Sequence, residues 1–185
     1  MACVLSDLQS QCQQFGAIVR VYVAPVENID TITFDPYNTV SSLTLLYYNT
    51  FAVLTPESLD ATTQTLNVLT RDDRSAPARW THTIDTMFLG TTISMRQAIE
   101  DLVDCCDKLF AIVETANGDR FIVGLDKDTT TANDVRPSIV PLTIASPNGV
   151  NFGTTTGAGV ITSLQLTATT VSQAFMLDGS VVLPV

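Results

Sequence analysis

Residues 110–124 read Phe110-Ala111-Ile112-Val113-Glu114-Thr115-Ala116-Asn117-Gly118-Asp119-Arg120-Phe121-Ile122-Val123-Gly124. Two apolar runs flank an Asn-Gly pair. Both residue types accept the positive φ of a tight turn, so the pair predicts a β-hairpin with one strand over Phe110 to Glu114 and another over Arg120 to Leu125.

Working back from this hairpin, the apolar period changes. Met95, Ala98, Ile99, Leu102, Val103, Cys106 and Phe110 fall at three- and four-residue spacing. Glu100, Asp101, Asp104 and Asp107 occupy the opposite face, so the stretch Met95 to Lys108 reads as an amphipathic helix. Ser94 and Gln97 fit a capping box at its start. Further upstream the reading is extended. Ala17 to Ala24 is a strand closed by Pro25, and Ile29 to Phe34 alternates Ile and Thr. Leu43 to Leu54 is a longer β-like stretch, Leu59 to Leu69 alternates weakly, and Trp80 to Phe88 alternates clearly. Asp35-Pro36-Tyr37-Asn38 has the composition of a turn, and Arg71-Asp72-Asp73-Arg74 that of a solvated, salt-bridged corner.

Downstream of the hairpin, Asp126 to Arg136 reads as a polar loop. Ile139 to Ala145 is a strand that Pro141 demotes to an edge or a bulge. Pro147-Asn148-Gly149 is a turn, and Gly153 to Gly159 is a flexible loop of small residues. Val160 to Thr169 and Ser172 to Leu177 are the final strands. With 27 threonines among 185 residues, the composition favours pleated, half-buried surfaces. The expected fold is mainly β, a β-sandwich or small barrel of eight to ten strands with one flanking α-helix and extended arms or loops. No composition shift marks a boundary, so residues 1–185 are expected to form one domain with an N-terminal arm over 1–15.

Nineteen acidic residues against nine basic ones give a formal net charge of −10. Such a chain repels nucleic acid and anionic membranes in bulk, because phosphate binding depends on Lys and Arg. Lys108 and Lys127 are its two lysines. No apolar run reaches membrane-spanning length, and the N-terminus lacks the pattern of a secretory signal. Cys3, Cys12, Cys105 and Cys106 form no C-x-x-C pair and are expected to be reduced.

Candidate chemistry is sparse. His82 is the single histidine, and one histidine completes neither a zinc set nor a convincing nucleophile–base pair. Its place in an alternating strand, between Thr81 and Thr83, reads as a surface or interface position. Asp72 and Asp73 are adjacent carboxylates of a kind common in turns. Asp126 and Asp128 begin like a calcium loop, but Thr131 stands where glycine is needed and Pro137 where glutamate is needed. Gly153, Gly157 and Gly159 lack the Lys-Ser/Thr ending of a phosphate-binding loop. Arg71, Arg74 and Arg79 are interleaved with acids. No catalytic, cofactor-binding or metal residue is therefore assigned, and the chain is read as non-enzymatic.

The order of pieces carries a resemblance. An early strand, Phe15-Gly16-Ala17-Ile18-Val19-Arg20-Val21-Tyr22-Val23, leads to Trp80-Thr81-His82-Thr83. A single helix follows, then the Asn117-Gly118 hairpin, a glycine-threonine segment and Leu164-Gln165-Leu166-Thr167-Ala168-Thr169. This resembles the tail-tube and related virion proteins of phages that infect Bacteroidetes-type bacteria. The resemblance implies a subunit of stacked six-membered rings forming a DNA-conducting tube, assembled in the host bacterial cytoplasm and residing in the virion tail. Its partners would be further copies of itself, other tail or virion proteins and DNA in transient, non-specific passage, with no membrane, cofactor or small-molecule substrate. Two departures, a last strand poor in aromatics and a long Asp126 to Pro137 loop, keep a terminator, a connector or another virion component as alternatives. A secreted β-sandwich binding module is the alternative from outside that class. The N-terminal arm, Leu43 to Leu69 and Gly153 to Gly159 are the expected contacts between rings.

Overall fold

The computed structural model describes residues 18–35, 39–46, 49–54, 63–69, 79–89, 93, 97, 100, 108–127, 135–137, 140–144, 149–151, 161–171 and 174–184, with side chains for most of these. The protein is mainly β. Strands β1 (Ile18–Pro25) and β2 (Ile29–Phe34) are joined by a 3-10 turn, Val26–Asn28. Then come β3 (Val40–Leu45), β4 (Ala52–Leu54), β5 (Thr63–Leu69) and β6 (Arg79–Leu89). Strands β7 (Leu109–Thr115) and β8 (Arg120–Val123) form the hairpin. The rest are β9 (Leu125–Lys127), β10 (Val135–Pro137), β11 (Val140–Ile144), β12 (Gly149–Asn151), β13 (Ile161–Thr170) and β14 (Phe175–Leu177).

The hairpin pairs as its sequence requires, Glu114 opposite Arg120 and Ala111 opposite Val123. Its connection is one residue longer than a two-residue turn. Gly118 N–H donates to Thr115 O and Thr115 N–H donates to Asp119 O, both at 2.9 Å, with Gly118 at φ +85°. This is the three-residue arrangement in which the last turn position is left-handed, and glycine fills it at no steric cost.

Strand β7 is the centre of the fold. Its first five residues, Leu109 to Val113, are all buried, which is the pattern of a strand covered on both faces. Successive side chains then serve different cores. Leu109, Ala111 and Val113 join Val21 and Val23 of β1, Ile84 of β6, Leu142 of β11 and Leu164, Leu166 and Ala168 of β13 in a sandwich core. Phe110 and Ile112 join Tyr22, Ile32, Leu43, Phe51, Ile122, Phe175 and Leu177 in a second core on the other face. Phe51 meets both Tyr22 and Phe110 edge-on, with ring centroids 6.3 and 5.6 Å apart, a favoured aromatic geometry.

The second core exists because the sheet curls. Val40 of β3 lies level with Glu114 of β7 through Leu177 and Arg120. In a flat sheet Leu46 would sit six residues beyond that level and Lys108 six residues before it, about 40 Å apart along the strands. Yet Val26 N–H donates to Lys108 O and Leu46 N–H donates to Asn28 O, at 2.9 and 2.8 Å. The three-residue turn between β1 and β2 spans at most about 10 Å. Only a strongly coiled sheet brings those two ends together, and the observed sheet is a curled half-barrel.

Several expectations change in detail. Fourteen strands are described rather than eight to ten, because longer runs are interrupted. Leu43 to Leu54 is not one strand: it divides into the end of β3 and the short β4. Arg120 to Leu125 breaks at Gly124, whose φ of +94° redirects the chain from β8 into β9. The polar loop from Asp126 to Arg136 is closed at its base by the β9–β10 ribbon, Asp126 opposite Arg136. Pro141 does mark a bulge: the β11–β13 register shifts between Val140 and Thr143. Of the helix expected over Met95 to Lys108, only Gln97, Glu100 and Lys108 are described, the first two in helical backbone. The remainder, with Cys105 and Cys106, lies outside the described residues.

Candidate assembly edges

The main sheet follows the path β2-β3-β14-β8-β7-β11-β13-β6-β5, with β4 added beside β1 and β12 beside β13. Among the described residues, β2, β4 and β5 each have a ladder partner on one side only. Strands with a single ladder partner are ones that natural proteins usually protect with short length, bulges, charge or proline.

Strands β2, β4 and β5 differ in that protection. β4 is only three residues long, although Val53 on it is 42% exposed. β2 bulges at Asp30, between Ile29 and Thr31, and the second shift of its ladder, beside Thr33 and Phe34, places the extra residue, Ser41, on β3. Its outward face with β3 is hydroxylated, Thr31 and Thr44 bonding through their Oγ1 atoms at 2.6 Å. β5 has none of these devices. It pairs with β6 over seven consecutive residues, Thr63 opposite Asp85 to Leu69 opposite Arg79, without a shift. Its sequence, Thr-Gln-Thr-Leu-Asn-Val-Leu, holds no charge, proline or glycine.

A row of charge crosses the rim of the second core. Arg20 lies opposite Glu114, and Glu114 opposite Arg120. Tyr22 donates its hydroxyl proton to Glu114 Oε2 at 2.7 Å, and Arg120 Nη2 stands 4.0 Å from Glu114 Oε1. Hydrogen bonding to Tyr22, with the nearby negative charge of Glu114, raises the Arg20 pKa above its ordinary value. Arg120 Nη1 also donates to Val181 O at 2.8 Å, tying down the segment after β14. That segment crosses to β4, where Phe51 N–H donates to Pro184 O at 3.0 Å. Sequence reasoning missed this row. The Glu114–Arg120 half was legible once the Asn-Gly turn set the register, but the Arg20 half depends on a pairing across 94 residues of chain.

His82 is not a surface residue. It is fully buried on β6, and its Nε2 lies 2.8 Å from Thr170 Oγ1. Buried and half-buried residues alternate over 81–84 of β6 and 164–170 of β13, and His82 opposite Ala168 falls on the core side. Sealed from solvent, its ring braces two strands rather than facing a ligand. Asp126 is buried as well, and its Oδ1 accepts the Val171 N–H at 2.8 Å. This carboxylate joins the β9 segment to the end of β13. Pro137 ends β10. Asp128 and Thr131 lie outside the described residues, as do Arg71, Asp72, Asp73, Arg74, Cys3, Cys12, the N-terminal arm and Gly153 to Gly159. Arg79 opens β6. Among the described residues no group of three His, Cys, Asp or Glu side chains lies together in a way that would hold a metal. No helix among them is long and apolar enough to cross a membrane.

Fold and edges define a class, a mainly β protein with a curled half-barrel sheet that, among the described residues, has a single ladder partner at each end of its path. Comparisons with protein-family models, curated proteins and solved structures found no match.

Proposed function

We propose that this chain is a non-enzymatic, self-assembling structural subunit, and specifically a phage tail-tube subunit whose rings stack into a channel for DNA. The observation that carries the reading is the open-ended sheet. Among the described residues both path ends lack a second ladder partner, and one of them, β5, lacks the usual protection against pairing. In a protein built to assemble, such an edge is a joint that a neighbouring strand completes. The charge of −10 supports the same reading. An acidic channel wall does not grip a polyanion moving through it. The order of strand, helix, hairpin and Leu/Thr final strand adds the resemblance to tail-tube proteins.

Electron microscopy and sedimentation of the purified full chain test this. Hollow tubes or stacked rings are expected as concentration rises, without retention of added duplex DNA on the isolated subunit. Single rings that never stack favour a terminator or connector. A compact, fully ordered monomer at high concentration overturns the structural reading.

A further inference from the structure

We infer that residues 181–184 are a strap that closes the second core and opens as a unit while the sheet stays intact, with Arg120 as its latch and Glu114 as the residue that positions the latch. The device belongs to the single chain and does not depend on the assembly reading above.

Past β14 the side chains keep the two-residue alternation of a strand. Val181 is buried in the second core, Val182 is 86% exposed, and Leu183 packs against the core again. Yet residues 181–184 belong to no ladder. Among the described residues two hydrogen bonds join them to the sheet. Arg120 Nη1 donates to Val181 O at 2.8 Å, and Phe51 N–H donates to Pro184 O at 3.0 Å. A segment held by two apolar side chains and two bonds opens at a lower free energy than a core strand. Strand β7 is the contrast, buried over residues 109–113 and paired with both β1 and β8.

The pivot lies just before the strap. Asp178 N–H donates to Val40 O at 2.9 Å, so Asp178 stays with the sheet. Its Oδ1 accepts the N–H and the hydroxyl of Ser180, closing a turn around Gly179. A side chain added at Gly179 would meet nothing within 4 Å, so the turn has room to swing. Val181 N–H donates back to Asp178 O at 3.1 Å, and this bond parts when Val181 lifts out of the core.

The latch is poised rather than locked. Arg120 Nη2 stands 4.0 Å from Glu114 Oε1, while Glu114 Oε2 accepts the Tyr22 hydroxyl. Glu114 therefore holds the guanidinium on the side from which it reaches Val181 O. Among the described residues Arg120 Nε is buried with no hydrogen-bond partner. A buried donor left unpaired costs free energy. Opening the strap admits water to it, which offsets part of what the lost Val181 bond contributed.

Amide hydrogen exchange by NMR on the unassembled full chain tests this. The Phe51 and Val181 amides, far apart in sequence, are expected to exchange through one shared opening, at least about 100-fold faster than Ile112 of β7. Low urea should leave these two nearly unchanged while it speeds Ile112, because only global unfolding exposes much surface. Asp178 should exchange slowly, with the sheet. Phe51 and Val181 exchanging at the rate and urea dependence of Ile112 overturn the strap. Unrelated rates at Phe51 and Val181 overturn its opening as a unit. Glu114→Gln keeps an acceptor for Tyr22 but removes the charge, and it is expected to speed both amides about tenfold. Should that variant fail to fold, Arg120→Lys, whose single ammonium cannot span both acceptors in the same way, decides by the same readout. Unchanged Phe51 and Val181 rates in a folded variant overturn the latch.

Discussion

Replacing Gly124 by alanine strikes the point where the two halves of the fold are joined. Gly124 lies between β8 and β9 at φ +94°, and an added Cβ would stand 3.0 Å from Leu109 O, 3.0 Å from Leu142 Cβ and 3.2 Å from Phe110 Cα. Two of these three atoms are backbone of β7, which is buried on both faces and cannot give way cheaply. Leu109 opposite Leu142 is also the pair that links β7 to β11. Gly118 supplies an internal control. It has nearly the same φ, +85°, but an added Cβ meets nothing within 4 Å. The left-handed backbone costs a non-glycine residue about 1–2 kcal/mol, and overpacking a tight core adds about 1–3 kcal/mol. Gly118→Ala should therefore cost about 1 kcal/mol, after the smaller entropy of the unfolded alanine chain is allowed for. Gly124→Ala should cost about 2–4 kcal/mol, the same backbone term of about 1 kcal/mol plus the crowding. Urea unfolding of the unassembled chain measures the difference. With a slope of about 2 kcal/mol/M the midpoint falls by about 0.5 M for Gly118→Ala and by about 1–2 M for Gly124→Ala. Equal shifts for the two alanines would refute the reasoning, because they would show that crowding at the junction carries no energy.

Three further outcomes are expected. His82→Ala removes a fully buried ring and its bond to Thr170, so stability should fall by about 2–4 kcal/mol with no change in the ability to assemble at low temperature, read by urea unfolding and sedimentation. Arg120→Met keeps the apolar stem but loses the bond to Val181 O; a loss of about 1–3 kcal/mol and faster amide exchange over residues 178–184 are expected by hydrogen-exchange mass spectrometry. The Asp178 carboxylate accepts the hydroxyl and backbone N–H of Ser180 at 2.7 and 2.8 Å, and those two bonds lower its pKa. A lowered folded value means that its stabilising effect is present above the ordinary carboxylate range and is lost as the pH falls through the folded value. The NMR titration midpoint of Asp178 should therefore rise in Ser180→Ala, and an unchanged midpoint would rule out this cause.

The sequence by itself determined those features that depend on near neighbours. The Asn117-Gly118 turn, the strand β1 closed by Pro25, the alternation in β6 and β13 and the bulge at Pro141 are all legible because turn chemistry and the two-residue strand period act over a few residues. So was the preponderance of β structure, from the threonine and Val/Ile content. What tertiary structure alone decided was which face each alternating residue meets. His82 reads as surface because its neighbours are threonines, yet those neighbours face outward and the ring faces a core made by β13, eighty-eight residues away. Asp126 reads as loop, yet the end of β13 draws it inside through the Val171 N–H. The curl that creates the second core and the row Arg20–Glu114–Arg120 follow from long-range pairings. A strand's own residues show how it alternates, but not which strand lies beside it or where the sheet stops.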